Sequence, residues 1–119
     1  MKRWKTLPAR DGFRMPGEFE PHRGCIMIWP VRPGSWAHKA REARKAFAAV
    51  AEAIADSEQV YMLVREDLMD SARRMLSDRI RLIPMDSDDA WARDVGPTFV
   101  ADDNGAVRGI DWQFNAWGG

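Results

Sequence analysis

The chain has one cysteine in 119 residues, so no internal disulfide can form. Two histidines and that single cysteine make a poor zinc set. Net charge is missing as well. Eighteen Lys/Arg balance eighteen Asp/Glu and the pI is about 6.7, which argues against a general nucleic-acid binder. Long apolar runs are absent too. The longest, Cys25–Val31, falls far short of the ~20 residues that cross a bilayer. The opening MKRWKTLPAR has no apolar stretch of the kind a signal peptide needs. No segment is of low complexity. Together these features predict a soluble protein in a reducing, cytoplasmic setting, with neither membrane nor nucleic acid as partner.

What is present is 45% hydrophobic and 30% charged, a globular composition at a length that supports one domain at most. The zero balance hides an asymmetry. Residues 1–48 carry eleven basic against four acidic side chains, and residues 49–119 carry seven against fourteen. Either the halves complement each other, or the acidic half faces a cationic ligand.

Met1–Gly24, rich in Pro, Gly and charge, has no sustained period and reads as an extended lead-in that packs over something else. Cys25–Trp29 reads as a strand buried on both faces, stopped by Pro30. Ser35 is a candidate N-cap for a helix of about five turns ending near Asp56, with Ala43, Phe47, Val50 and Ile54 on its apolar face. A strand over Gln59–Val64, a shorter helix over Glu66–Leu76 and a strand over Ile80–Ile83, stopped by Pro84, follow. Strands at Pro97–Ala101 and Ala106–Gln113 flank Asn104-Gly105, a hairpin signal. This order is α/β or α+β. The chain stops on Trp117-Gly118-Gly119 straight after a strand, which predicts the front part of a longer protein.

The acidic loop Asp86–Gly96 holds the densest chemistry. Asp86, Asp88, Asp89, Trp91, Arg93 and Asp94 lie within nine residues, directly after a strand, where α/β folds place ligand groups. If Asp88 caps a helical turn, Trp91 and Asp94 share one side of it. A carboxylate beside an indole face suits a planar cation. The carboxylate accepts two parallel N–H bonds from a guanidinium fork, and the indole adds cation–π attraction of ~0.5–2 kcal/mol. Arg93 is expected to pair with Asp89, four residues earlier, and hold the loop. Helix caps and a core tryptophan account for the same residue types, so both readings stand at this level.

Cys25 with His22 three residues before it resembles a nucleophile with its base. A cysteine opening an apolar strand is more often an inert core filler. Trp29, Trp36, Trp112 and Trp117 are cleft-lining or core residues on pattern alone.

Four stretches carry a resemblance. They are Met15-Pro-Gly-Glu-Phe-Glu-Pro-His22, Trp29-Pro30, Asp88-Asp-Ala-Trp-Ala-Arg-Asp-Val-Gly-Pro97 and Asp111-Trp-Gln-Phe-Asn-Ala-Trp-Gly-Gly119. From Met15 to Gly119 the chain resembles the N-terminal portion of the agmatine deiminases, in the wider peptidyl-arginine deiminase-like family. The resemblance implies an incomplete pentein, the first part of an α/β propeller of ββαβ units. Residues 1–119 would then be the N-terminal fragment of a single catalytic domain, with 1–24 as its lead-in. The implied reaction is hydrolysis of agmatine to N-carbamoylputrescine and ammonia, a step of polyamine and putrescine biosynthesis, through a covalent cysteine intermediate and without cofactor. Asp94 resembles a guanidinium-clamping aspartate, and Trp91 the indole walling that pocket. Asn115, Trp117 and Gly118 match a second motif near the pocket, while Asp88, Asp89 and Arg93 support the loop.

The family's nucleophilic cysteine and its histidine come later than residue 119, and Cys25 does not occupy the nucleophile's place. The chain alone is therefore expected to be inactive and to need the remainder of the propeller or a partner chain. Its unpaired apolar faces are expected to drive self-association. Alternatives are a fragment of an arginine or peptidyl-arginine deiminase, and a non-catalytic module binding guanidinium or other cations.

Overall fold

The computed structural model describes residues 3–32 and 34–113. The chain divides into two compact units, His22–Ala92 and Met1–Pro21 with Arg93–Gly119.

The first unit is a three-stranded parallel sheet with helical crossovers. Its strands β1 (Cys25–Ile28), β2 (Val60–Val64) and β3 (Arg81–Pro84) lie in the order β1-β2-β3. Helix α1 (Arg41–Ile54) joins the first pair, and a 3₁₀ turn (Glu66–Leu68) running into α2 (Met69–Arg73) joins the second. Parallel neighbours require such long crossovers, which is why the sequence alternates between the two periods. On β2, Val60, Met62 and Val64 are buried and pack with Trp29, Ala48, Ala51, Ala72, Leu76 and Ile80. Burying one such large side chain stabilises by ~1.5–3 kcal/mol.

Several expected boundaries move. Strand β1 is not buried on both faces: Met27 packs on the core face beside Met62, while Ile26, on the other face beside Tyr61, stays exposed. Trp29 and Pro30 beyond its end are buried instead. The long helix begins at Arg41, not after Ser35. A 3₁₀ turn, Ala37–Ala40, precedes it, and Ala40 sits in the left-handed region at φ 62°, which breaks the helical hydrogen-bond run. Ser35 belongs to a turn in which its N–H donates to Arg32 O. The apolar face of α1 is Phe47, Ala48, Ala51 and Ile54, while Val50 is 51% exposed. The helix over Glu66–Leu76 shortens to α2 because its end unwinds into a turn that Arg73 ties down, donating to Ser77 O and Ile80 O. Glu52 of α1 accepts from the Ser77 N–H and hydroxyl and from Arg79. Pro84 is the last residue of β3 rather than its stop, since Met85 N–H still donates to Val64 O.

Gly24 marks a close approach. A Cβ there would lie 2.6 Å from Gln59 O and 2.9 Å from the Tyr61 ring. The Gln59 carbonyl is already fixed, because it accepts from Cys25 N–H at 2.8 Å. Gly24→Ala is therefore expected to destabilise by ~1–3 kcal/mol through overpacking, as read in a thermal or urea melt.

The second unit is built on a hairpin, β4 (Thr98–Ala101) antiparallel to β5 (Val107–Ile110). Its turn is closed by Asp102. The Asp102 carboxylate accepts from Asn104 and Ala106 N–H, its carbonyl accepts from Gly105 N–H, and Gly105 takes the left-handed φ of 79°. The lead-in is not merely extended. It forms a 3₁₀ turn at Pro8–Asp11, and Arg14 pairs with Ala101 through two backbone bonds of 2.9 Å, adding a third strand-like element. Arg108 of β5 lies 4.1 Å from the Trp4 ring centre and 3.9 Å from that of Phe13, and pairs with Asp11 at 2.6 Å. Arg14 also grips Glu20 with both guanidinium nitrogens, at 2.8 and 2.9 Å. With the Gly17 N–H, this holds the Glu20 carboxyl down to about 2. Among the described residues no helix is long and apolar enough to cross a membrane.

Candidate functional site

The acidic loop after β3 is fixed at its start by its own side chains. Ser87 hydroxyl donates to Asp89 O, and Asp89 Oδ1 accepts from Ala90 N–H at 2.7 Å. Asp89 Oδ2 lies 3.8 Å from Arg32 Nη1. Ala90 is buried, and beyond it α3 (Ala92–Val95) forms a single turn.

Three expectations about this loop change. The helical turn begins at Ala92, so Asp88 is not its cap and Trp91 precedes it. Asp88 is exposed. Arg93 does not pair back to Asp89. Its guanidinium meets Glu18 Oε1 at 2.7 Å, because the single turn is too short to bring residues 89 and 93 onto one helical face. Glu18 was legible only as part of a motif, since an ion pair between distant segments leaves no periodic trace.

Trp91 is 55% exposed. Asp94 is exposed, and its carboxylate has no hydrogen-bond or ion-pair partner among the described residues. With Asp89 and Arg93 both engaged, a carboxylate that has no partner among the described residues is one a cationic ligand can use. Trp91 belongs to the first unit and Asp94 to the second. Asn115, Trp117 and Gly118 lie outside the described residues.

Cys25 is half buried. Burial pushes its thiol up, and the Glu58 carboxylate adds to the effect. His22 Nδ1 stands 3.5 Å from Glu58 Oε1. A thiol beside a carboxylate is poorly placed to ionise, which suits a filler rather than a nucleophile. No group of three or more His, Cys, Asp or Glu side chains among the described residues could hold a metal ion.

Residues 14–119 match the family model described as Porphyromonas-type peptidyl-arginine deiminase. The agmatine deiminase of Pseudomonas aeruginosa (strain LESB58) is 54% identical over 115 residues, covering 96% of this chain and 31% of that protein. That of Stutzerimonas stutzeri (strain A1501) is likewise 54% identical over 115 residues. The solved structure "Agmatine deiminase of Enterococcus faecalis catalyzing its reaction" superposes with a TM-score of 0.97 at 45% identity, covering all of this chain and 33% of that one. The chain spans about a third of the length of the relatives it matches. Its mixed α/β architecture is shared with these deiminases, and it belongs to the Porphyromonas-type peptidyl-arginine deiminase family.

Proposed function

We propose that the chain is the N-terminal third of an agmatine deiminase, and that Asp94 and Trp91 serve its guanidinium pocket. The observation that carries this reading is the exposed Asp94 carboxylate, without a partner among the described residues, three residues after an exposed Trp91. It is supported by relatives named for agmatine deimination.

A guanidinium is a weak electrophile, so the site has to fix its plane and favour the tetrahedral form. The Asp94 carboxylate accepts two N–H bonds and balances the cation, while the Trp91 indole confines the plane. A cysteine thiolate from the later part of the enzyme attacks the guanidinium carbon. A C–N bond breaks, and ammonia leaves with a proton delivered by a histidine. Water then adds to the amidino-thioether, the C–S bond breaks, and the thiolate is regenerated with a urea as product. The pentein propeller is completed by the remaining two-thirds of the protein. In their absence, exposed Phe99, Val107 and Trp112 promote self-association.

The test is the full-length enzyme that begins with this chain, assayed on agmatine, free arginine and a peptidyl arginine. Agmatine is expected to give N-carbamoylputrescine and ammonia in equal amounts, with the other two turned over far more slowly. Preference for arginine or the peptide would overturn the substrate assignment. Agmatine binding without turnover would instead support a cation-binding module.

A further inference from the structure

We propose that Glu18 is a positioning residue that holds the Arg93 guanidinium away from Asp94, keeping the Asp94 carboxylate open to a cationic substrate. The inference rests on the guanidinium-binding reading of Asp94.

The geometry lies within one unit. Asp94 sits on α3, a single turn of four residues. So short a helix has no stability of its own, and its side chains go where their partners take them. The residue beside Asp94 is Arg93, a long cation whose nearest carboxylate in the chain would be Asp94 itself. Consecutive residues on a helical turn point about 100° apart, but the long Arg93 side chain can bend back towards Asp94 unless another carboxylate takes its guanidinium. Glu18 provides it, with Oε1 2.7 Å from Arg93 Nη2.

Glu18 is held where it is needed. Arg14 is bonded to Ala101 in both directions at 2.9 Å, which ties the lead-in to β4, the strand that follows α3. Arg14 also forks onto Glu20, Glu20 Oε1 accepts from Gly17 N–H at 2.8 Å, and Glu20 N–H donates to Gly17 O at 3.0 Å. The loop presenting Glu18 is therefore closed on itself, and the Glu18–Arg93 pair completes a ring from α3 through β4 and the lead-in back to α3.

Both members of the pair are largely exposed, 82% for Arg93 and 75% for Glu18. An exposed pair contributes little to stability. Its value is electrostatic and directional. With Glu18 neutral, Arg93 can fold onto Asp94 and compete with the substrate, and its uncompensated charge repels an incoming guanidinium.

The experiment uses the full-length enzyme and compares Glu18→Gln, Arg93→Gln, the double variant and Asp94→Asn by steady-state kinetics on agmatine with thermal melts. Glu18→Gln is expected to lower kcat/KM about tenfold, chiefly through KM, because a competing internal cation weakens binding. The double variant is expected to recover to within about threefold of the parent, since no freed cation remains. Melting temperatures should stay within about 2 °C, as for other exposed pairs. A double variant as impaired as Glu18→Gln, or a loss that tracks a fall in melting temperature, would overturn the proposal in favour of a structural ion pair. So would unchanged kinetics in Glu18→Gln while Asp94→Asn is severely impaired, which leaves the pocket assignment standing. Near-parental kinetics in Asp94→Asn would remove the pocket assignment itself and this inference with it.

Discussion

Asp94→Asn in the full-length enzyme is expected to lower kcat/KM for agmatine by roughly two to four powers of ten, the equivalent of ~3–5 kcal/mol. The substitution keeps the shape but turns one acceptor oxygen into a donor that faces the donors of the substrate. It also removes the charge that balances the cation once substrate covers the site. Cost of this size is typical when one partner of a desolvated charge pair is lost and the other remains. Trp91→Phe should be milder, because a phenyl face still attracts a cation, though less than indole does. Steady-state kinetics with parallel melts separates the two roles an aspartate can have. If Asp94→Asn keeps its kcat/KM and loses stability, Asp94 is a structural residue and the pocket assignment must be withdrawn. That its carboxylate has no partner among the described residues argues the other way, since a structural aspartate in this loop looks like Asp89, bonded to Ala90 N–H and near Arg32.

The 119-residue chain by itself is expected to release no ammonia and no N-carbamoylputrescine from agmatine above background. Its one thiol is Cys25, and burial and the Glu58 charge both disfavour the thiolate. The nearby His22 Nδ1 stands 3.5 Å from Glu58 Oε1. Alkylation of Cys25 by iodoacetamide near neutral pH should accordingly be slower than that of a free thiol in a peptide. Turnover by the purified chain that disappears in Cys25→Ala would overturn this and make Cys25 the nucleophile. Turnover that persists in Cys25→Ala would point to contaminating enzyme.

The sequence alone determined the order of strands and helices, because parallel strands need crossovers and the hydrophobic period switches with each element. It also singled out one loop as the candidate site, since Asp and Trp at that density follow a strand in only one place. Boundaries were legible where local chemistry sets them, as at the Asp102–Gly105 turn, whose Asp and Gly satisfy it within four residues. They were not legible where tertiary context decides. The start of α1 depends on Ala40 adopting a left-handed conformation while fully buried, which no local preference of alanine foretells. That Cys25–Ile28 lies at a sheet edge depends on strand order, and its apolar residues look the same in either position. Side-chain pairing between distant segments was decided wholly by the tertiary structure. Arg108 against Trp4 and Phe13, and Glu18 on Arg93, join residues with no shared period. Sequence spacing offered Asp89 as the partner of Arg93 by the rule for helical neighbours. The structure has too short a helix for that rule to apply, and the lead-in brings another carboxylate within reach.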